Sequence, residues 1–228
     1  MKKKIAAGIM TGILLVAFFL MIIGYIFLPI STFIILLIND IIFLIILFIL
    51  SRRNNPTPWM VCSIVMLTVF CFNALFWGSF HMPVTTRTKW QYPIAIRYTY
   101  EGRPPFEFFP EELPSSAKNI RYEFLPTILQ GEGHVTLRFT ADEDYIDDLK
   151  EKLKDEAMYI TDSEGLAEIN SRLENGKTIQ FYGIDDGDRF FEEHPDAEIY
   201  ILYTNYDWNH PRSRAVFIDG DYVFFEHQ

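Results

Sequence analysis

The chain has 228 residues, of which half are hydrophobic, and its formal net charge is -10. These averages hide two contrasting parts: five basic residues against one acid give +4 up to His81, whereas 15 basic against 29 acidic residues give -14 from Met82 onward. Such a change is typical of a membrane region joined to a soluble domain, here residues 1–81 and 82–228. The acidic second part argues against nucleic acid as a partner.

Three apolar stretches in the first part are long enough to cross a bilayer, whose hydrocarbon core of roughly 30 Å needs about 20 helical residues. They are predicted at about Ile5–Leu28, Ile30–Leu50 and Trp59–Phe80. The first stretch follows a basic start like that of a signal peptide, but its apolar run is longer than the ~7–15 residues of such a peptide. We therefore expect an uncleaved span and a multi-pass protein of the cell membrane.

Basic residues near the ends of the spans predict the orientation of the chain. Lys2, Lys3 and Lys4 place the N-terminus in the cytoplasm. Arg52 and Arg53 place the connection between the second and third spans on the same side. The third span then carries the acidic domain out of the cytoplasm. If the first two stretches instead form one crossing and a re-entrant piece, the domain lies on the opposite side.

An acid and an amide interrupt the second span near its middle, at Asn39 and Asp40. No cationic side chain occurs at a comparable depth in any span, so we expect Asp40 to be protonated or paired with a group of another chain. Thr68 and Asn73 in the third span are its expected partners within the chain. One interpretation is a proton or cation relay; the one we favour is that these four residues join helices by hydrogen bonds.

The second part changes from continuous apolar runs to strand and helix patterns. Strands are predicted at residues 94–100, 120–125, 134–140, 177–182 and 198–204. A capping box from Thr140 to Glu143 begins a helix that continues to about Met158, and a second helix is expected at about 163–173. An Asp219-Gly220 hairpin ends the chain. This order predicts an α+β domain with a mostly antiparallel sheet, packed on one face by two helices.

One stretch carries a resemblance to known proteins. It contains Glu112-Leu-Pro-Ser-Ser-Ala-Lys-Asn-Ile120, then Arg-Tyr-Glu-Phe, then Leu129-Gln-Gly-Glu-Gly-His-Val-Thr-Leu-Arg-Phe139. The stretch resembles uncharacterised extracytoplasmic domains of Gram-positive membrane proteins and lipoproteins. The resemblance implies an outward-facing domain and carries no activity or catalytic residue.

Signatures of catalysis and of cofactor binding are missing from the sequence. Asp185-Asp186-Gly187-Asp188, Glu192-Glu193-His194 and Asp207-Trp208-Asn209-His210 could supply metal ligands, but they lack a second cluster at a recognisable spacing, so surface loops are the better interpretation. We expect no catalytic residue, no cofactor and no metal. Aromatic residues between prolines form the expected exposed binding surface, at Phe106, Phe108 and Phe109.

These features predict a non-enzymatic membrane protein whose outward-facing acidic domain binds a protein or an envelope component. A sensor, an accessory subunit and an immunity-type factor all fit this description. The bilayer and a membrane-protein partner, or a second copy of the chain, are the expected partners, and Gly8 and Gly12 have a spacing that favours helix association. The alternatives are a small transport component that uses Asp40 and an envelope enzyme with an unrecognised site.

Overall fold

The computed structural model describes residues 2–27, 30–52, 56–78, 83–100, 108–126, 133–174, 176–181, 187–207, 210 and 212–228. The chain divides into two compact units, Met1–Pro83 and Val84–Gln228. Each unit has its own core.

The first unit consists of three long helices in its described part: α1 (Lys2–Phe27), α2 (Ser31–Ser51) and α3 (Pro56–Gly78). Each helix contacts the other two. All three are long and apolar enough to cross a membrane. A bilayer is therefore the environment that suits this unit, because its surface is made of exposed Ile, Leu, Val and Phe side chains.

The buried side chains of the first unit recur at regular helical spacings. On α1 they are seven residues apart, at Ala7, Leu14 and Met21. This spacing keeps one seam of a helix towards its neighbours. The other buried side chains are Ile30, Leu36, Asp40, Leu47, Ser63 and Met66. A Cβ atom placed on Gly8 or Gly12 would meet nothing within 4 Å, so these glycines are not packed inside the unit.

The second unit contains an antiparallel sheet with seven strands in its described part, in the order β1-β2-β3-β7-β6-β5-β4. The strands are β1 (Val84–Thr86), β2 (Lys118–Leu125), β3 (His134–Thr140), β4 (Tyr159–Thr161), β5 (Glu198–Thr204), β6 (Ser213–Asp219) and β7 (Tyr222–His227). The predicted class, three apolar helices followed by an α+β domain with an antiparallel sheet, is confirmed. The predicted strands at 120–125, 134–140 and 198–204 are present, as is the hairpin, in which Gly220 has a positive φ of 56°.

Helices cover both faces of this sheet rather than the one face that we expected. They are α4 (Tyr92–Tyr100), α5 (Glu143–Glu156), α6 (Ser163–Arg172) and α7 (Gly187–Glu193). Tyr92 of α4 contacts Tyr122, and Tyr145 of α5 contacts Phe139; the strand register puts Tyr122 and Phe139 on one face. Leu166 of α6 and Phe190 of α7 join a core cluster with Phe217 on the other face.

The predicted strand at 94–100 is wrong, because these residues belong to α4. Tyr92, Ala95 and Ile96 are buried, and this spacing is helical rather than alternating. Pro93 lies in the first turn of α4, where its missing N–H costs no hydrogen bond. The alternation of Ile94 and Ile96 misled the interpretation, since Ile94 is exposed.

The predicted strand at 177–182 is also wrong for its described residues, because their hydrogen bonds go to side chains and loops instead of a neighbouring strand. Asn170 of α6 donates from Nδ2 to the Ile179 carbonyl at 3.1 Å and accepts from the Ile179 N–H at 2.7 Å. Ser213 donates to the Gln180 carbonyl at 2.9 Å. The described part of the segment is thus held against α6 and β6 without joining the sheet.

The capping box predicted for α5 is shifted. Asp142, rather than Thr140, is the N-cap residue, and its carboxylate accepts a hydrogen bond from the Tyr145 N–H. Thr and Asp are both good N-cap residues, and the observed N-cap lies two residues later than the predicted one.

Candidate binding surface

The polar residues predicted to join the membrane helices do not form one cluster in the structure. Asp40 is fully buried in the three-helix unit, and within the described residues neither carboxyl oxygen has a hydrogen-bond partner. Thr68 is exposed and donates to the Ile64 carbonyl at 3.0 Å, and the expectation that Thr68 or Asn73 hydrogen-bonds with Asp40 is wrong. Asn39 and Asn73 are half-buried, and their role in helix association stays a prediction.

The predicted exposed aromatic surface is not exposed where the structure describes it. Phe109 is only 2% exposed, and its ring lies 6.0 Å from that of Phe225. Phe108 is half-buried, with its ring 5.6 Å from the same Phe225 ring. These residues pack in the core against β7. Phe106 lies outside the described residues.

The segments weighed as metal ligands do not converge in the described part of the chain, which holds no group of three His, Cys, Asp or Glu side chains suited to a metal ion. His194 lies with Nδ1 2.9 Å from Oδ2 of Asp219, and its ring stacks on Tyr222 at 4.4 Å. These contacts attach the end of α7 to the β6–β7 hairpin. Asp185 and Asp186 lie outside the described residues.

The outer edge of β4 is where apolar side chains of the second unit are exposed together. Among the described residues of this unit, six large apolar side chains are exposed, and two of them lie here: Met158 and Ile160. Ile160, in the middle of β4, is 49% exposed. β4 pairs with β5 on one side and ends the strand order on the other. Exposed strand edges of this kind are available for pairing with another chain.

A groove of about 740 Å³ runs beside this edge, between β4 and α6. Ile160 and Thr161 form the strand side, and Gly165 lies on the helix side. A Cβ atom on Gly165 would come within 2.1 Å of Thr161 Oγ1, so glycine allows the close approach of helix and strand. The groove is acidic, with four carboxylates at Asp162, Glu164, Glu168 and Glu198.

Three of these four carboxylates have partners within the domain. Asp162 is the N-cap of α6 and accepts from the Gly165 N–H at 2.7 Å. Glu168 pairs with Arg172 on the same helix. Glu198 accepts from Lys150 at 2.9 Å and from the Tyr200 hydroxyl at 2.6 Å. Arg172 and Lys150 offset two of the four carboxylate charges, so the groove stays net negative. The exposed Glu164 contributes to this negative charge.

The electrostatic environment of Glu198 keeps a negative charge at the groove. Burial opposes ionisation, but the hydrogen bonds from Tyr200 and Lys150, together with the charges of Lys150 and Lys154, hold the pKa of Glu198 below its usual value. Burial, followed by the hydrogen bond and charge of Glu198, raises the pKa of Tyr200. At neutral pH Glu198 therefore presents a carboxylate to the groove, and the buried Tyr200 donates a hydrogen bond to it from within the domain.

Sequence patterns did not indicate this surface, since β4 has only three residues and lies between the two predicted helices, where no element was predicted. Exposure at a sheet edge depends on which strand lies last, and that order depends on tertiary pairing. Comparison with protein-family models, with curated proteins and with solved structures found no match. The assignment of a function consequently depends on the geometry of this chain.

Proposed function

We propose that this protein is a membrane-anchored binding protein whose α+β unit binds an extended polypeptide segment with alternating apolar and basic residues. The segment adds to the outer edge of β4 as a further strand. Such strand addition uses backbone hydrogen bonds for affinity and side-chain pockets for specificity. The observation that carries the proposal is the exposed apolar side chain of Ile160 in the middle of an edge strand, beside an acidic groove.

Side-chain chemistry favours this class of partner. Met158 and Ile160 supply apolar contact for alternate residues of an added strand. The carboxylate of Glu164 on α6 lines the adjacent groove, and α6 packs on the other face of the sheet, so Glu164 attracts the basic residues that alternate with the apolar ones. The short length of β4 limits uncontrolled pairing, which agrees with a site for one selected segment.

The orientation is part of the same proposal. Basic residues at the start of α1 and directly after α2, including Lys4 and Arg52, support a cytoplasmic N-terminus and an extracytoplasmic binding domain in the cell membrane. The resemblance of the 112–139 stretch to extracytoplasmic domains agrees with this side. The partner is then an exported or envelope protein, and a sensor, accessory or immunity-type role follows from which protein carries the segment.

A peptide-binding experiment tests the proposed site. The full-length protein in detergent micelles is titrated against a fluorescent ten-residue peptide of alternating Val and Lys, and anisotropy is recorded. Ile160→Asp should weaken binding about tenfold, because the bound peptide would then cover a charge instead of an apolar side chain. A Val-Glu peptide should not bind. Failure of the Val-Lys peptide to bind the unmodified protein would contradict the proposal.

A matched pair of charge reversals separates the groove from general attraction by an acidic protein. Glu164→Lys alters the groove, whereas Glu111→Lys alters an exposed acid elsewhere by the same charge. We expect only Glu164→Lys to weaken binding by several-fold, with the difference falling as salt is added. Equal effects would show that the net charge of the domain, and not the groove, binds the peptide.

Ion coupling through Asp40 is a second candidate function, favoured by the complete burial of this acid inside the three-helix unit. Asp40→Asn keeps the size and hydrogen bonding of the side chain while abolishing ionisation. Protein reconstituted in vesicles with a pH gradient and an internal pH-sensitive dye allows the proton flux to be measured. Faster flux for the unmodified protein than for Asp40→Asn would support coupling, and equal rates would exclude it.

A further inference from the structure

A groove of about 500 Å³ opens on the surface of the three-helix unit, between α1 and α2 near Trp59 of α3. Its walls are mainly apolar and include Leu15, Leu44 and Phe48. Sites of this volume and lining hold small apolar ligands. The groove opens on the outer surface of the unit, so within a bilayer a lipid is the ligand that would reach it.

One end of the groove is polar. Thr11 of α1 and Ser51, the last residue of α2, both line it. Trp59 donates from its indole nitrogen to Thr11 Oγ1 at 3.3 Å, and Thr11 donates to the Ala7 carbonyl at 2.9 Å. These bonds fix the indole ring as one boundary of the groove.

A positive charge is held at this polar end. The guanidinium carbon of Arg52 lies 4.6 Å from the centre of the Phe48 ring, and Phe48 lines the groove. This cation–π contact orients Arg52 beside the opening. Lys4 lies two turns before Thr11 on α1 and adds a second exposed cation at the same end of the helix pair.

We propose that this groove binds an anionic phospholipid, with one acyl chain along Leu15 and Leu44 and the phosphate on Arg52. A guanidinium offers several donors in a fixed plane, which suits phosphate oxygens. Basic sites between membrane helices recognise anionic head groups in this way. A zwitterionic lipid would gain the same apolar contacts. The positive charge of Arg52 at the opening favours the anionic lipid, because only that head group has a net negative charge.

Quenching of Trp59 fluorescence by brominated lipids tests the proposal. The full-length protein carries Trp77→Phe, Trp90→Phe and Trp208→Phe, so that Trp59 is the one remaining tryptophan. It is reconstituted with phosphatidylglycerol or phosphatidylcholine that is dibrominated on one acyl chain, at equal mole fractions. We expect roughly a fivefold preference for quenching by the anionic lipid.

Two variants and one control locate the site. Arg52→Gln should remove the preference, because it removes the cation that favours a head group of net negative charge over a zwitterionic one. Ile45→Phe narrows the groove, which Ile45 lines, and should reduce quenching by both lipids. Ile42→Phe makes the same change at another exposed position of α2 and should change neither.

Three results would overturn the proposal. Equal quenching by the two lipids would show that the opening does not select an anionic head group. A preference that survives Arg52→Gln and Ile45→Phe would mean that anionic lipid gathers around the protein without entering the groove. Protection of Trp59 from both lipids would show that no lipid enters the groove.

Discussion

Arg214 on β6 lies directly opposite His227 on β7, in neighbouring strands of the sheet. Burial, and then the positive charge of Arg214, lowers the pKa of His227 to about 4. The imidazole is therefore neutral in the folded protein at neutral pH. This pair makes the stability of the second unit depend on pH, although neither residue belongs to the proposed binding surface.

The pH dependence has a definite sign. The folded pKa of His227 lies below its usual value of 6.5, so the unfolded chain binds a proton first as the pH falls. Stability is retained above pH 6.5 and lost as the pH falls towards 4. His227→Gln should remove up to about 3 kcal/mol of this loss, measured by urea unfolding of the full-length protein at pH 7 and pH 4. An equal loss in both proteins would contradict the assignment.

Asn170 is expected to stabilise the fold by holding residues 177–181. Its side chain makes two hydrogen bonds with the backbone of Ile179, and Ile179 is buried in the core cluster under α6. Asn170→Ala leaves both backbone groups unsatisfied and should lower the free energy of unfolding by about 2 kcal/mol. Ser171→Ala on the exposed side of α6 is the control and should change it by less than about 0.5 kcal/mol. Similar values for both variants would show that the Asn170 bonds contribute little.

The sequence allowed the class of the fold to be predicted but not several of its local elements. The membrane helices and the strands at residues 134–140 and 198–204 were predicted because their apolar runs and alternation are patterns of residues close together in the chain. The segment at 94–100 was misassigned because the alternation of Ile94 and Ile96 hid a helical pattern of burial. The described part of 177–182 was misassigned because the Asn170 side chain, and not a neighbouring strand, bonds with the backbone of Ile179. The short strand β4 has too few residues for a periodic signal.

The candidate site was harder to predict than the fold for the same reason. The sequence around Phe109 is typical of an exposed aromatic loop, yet the Phe109 ring packs against Phe225 on β7. Ile160 becomes exposed only because β4 is the last strand in the order. Burial of Asp40 followed from the position of its helix among the other two, which the apolar pattern of the spans did not specify.

Replacement of Asp40 by an apolar residue should not destabilise the three-helix unit. Within the described residues its carboxyl group is buried without a hydrogen-bond partner, and such burial costs free energy. Asp40→Leu should keep or raise the thermal midpoint of the full-length protein in detergent. Leu14→Ala, which removes a buried apolar side chain, should lower stability by about 2 kcal/mol. A loss for Asp40→Leu as large as that for Leu14→Ala would indicate that the acid joins helices after all.

Labelling of a cysteine added at the C-terminus tests the proposed orientation. The two native cysteines, Cys62 and Cys71, are first replaced by Ala. An impermeant maleimide should label the added cysteine in intact cells, because the second unit is proposed to be extracytoplasmic. Labelling that appears only after the cells are lysed would place the unit in the cytoplasm and contradict the proposal.

Hydrogen exchange at the two edges of the sheet tests most directly whether a peptide adds to β4 as a strand. The full-length protein is compared with and without the alternating Val-Lys peptide, and exchange is followed in fragments that contain Met158–Thr161 of the β4 edge and Val84–Thr86 of β1. We expect slower exchange at the β4 edge, where the peptide adds as a strand, and unchanged exchange at β1. Unchanged exchange at β4, or equal protection of β1, would contradict strand addition at β4.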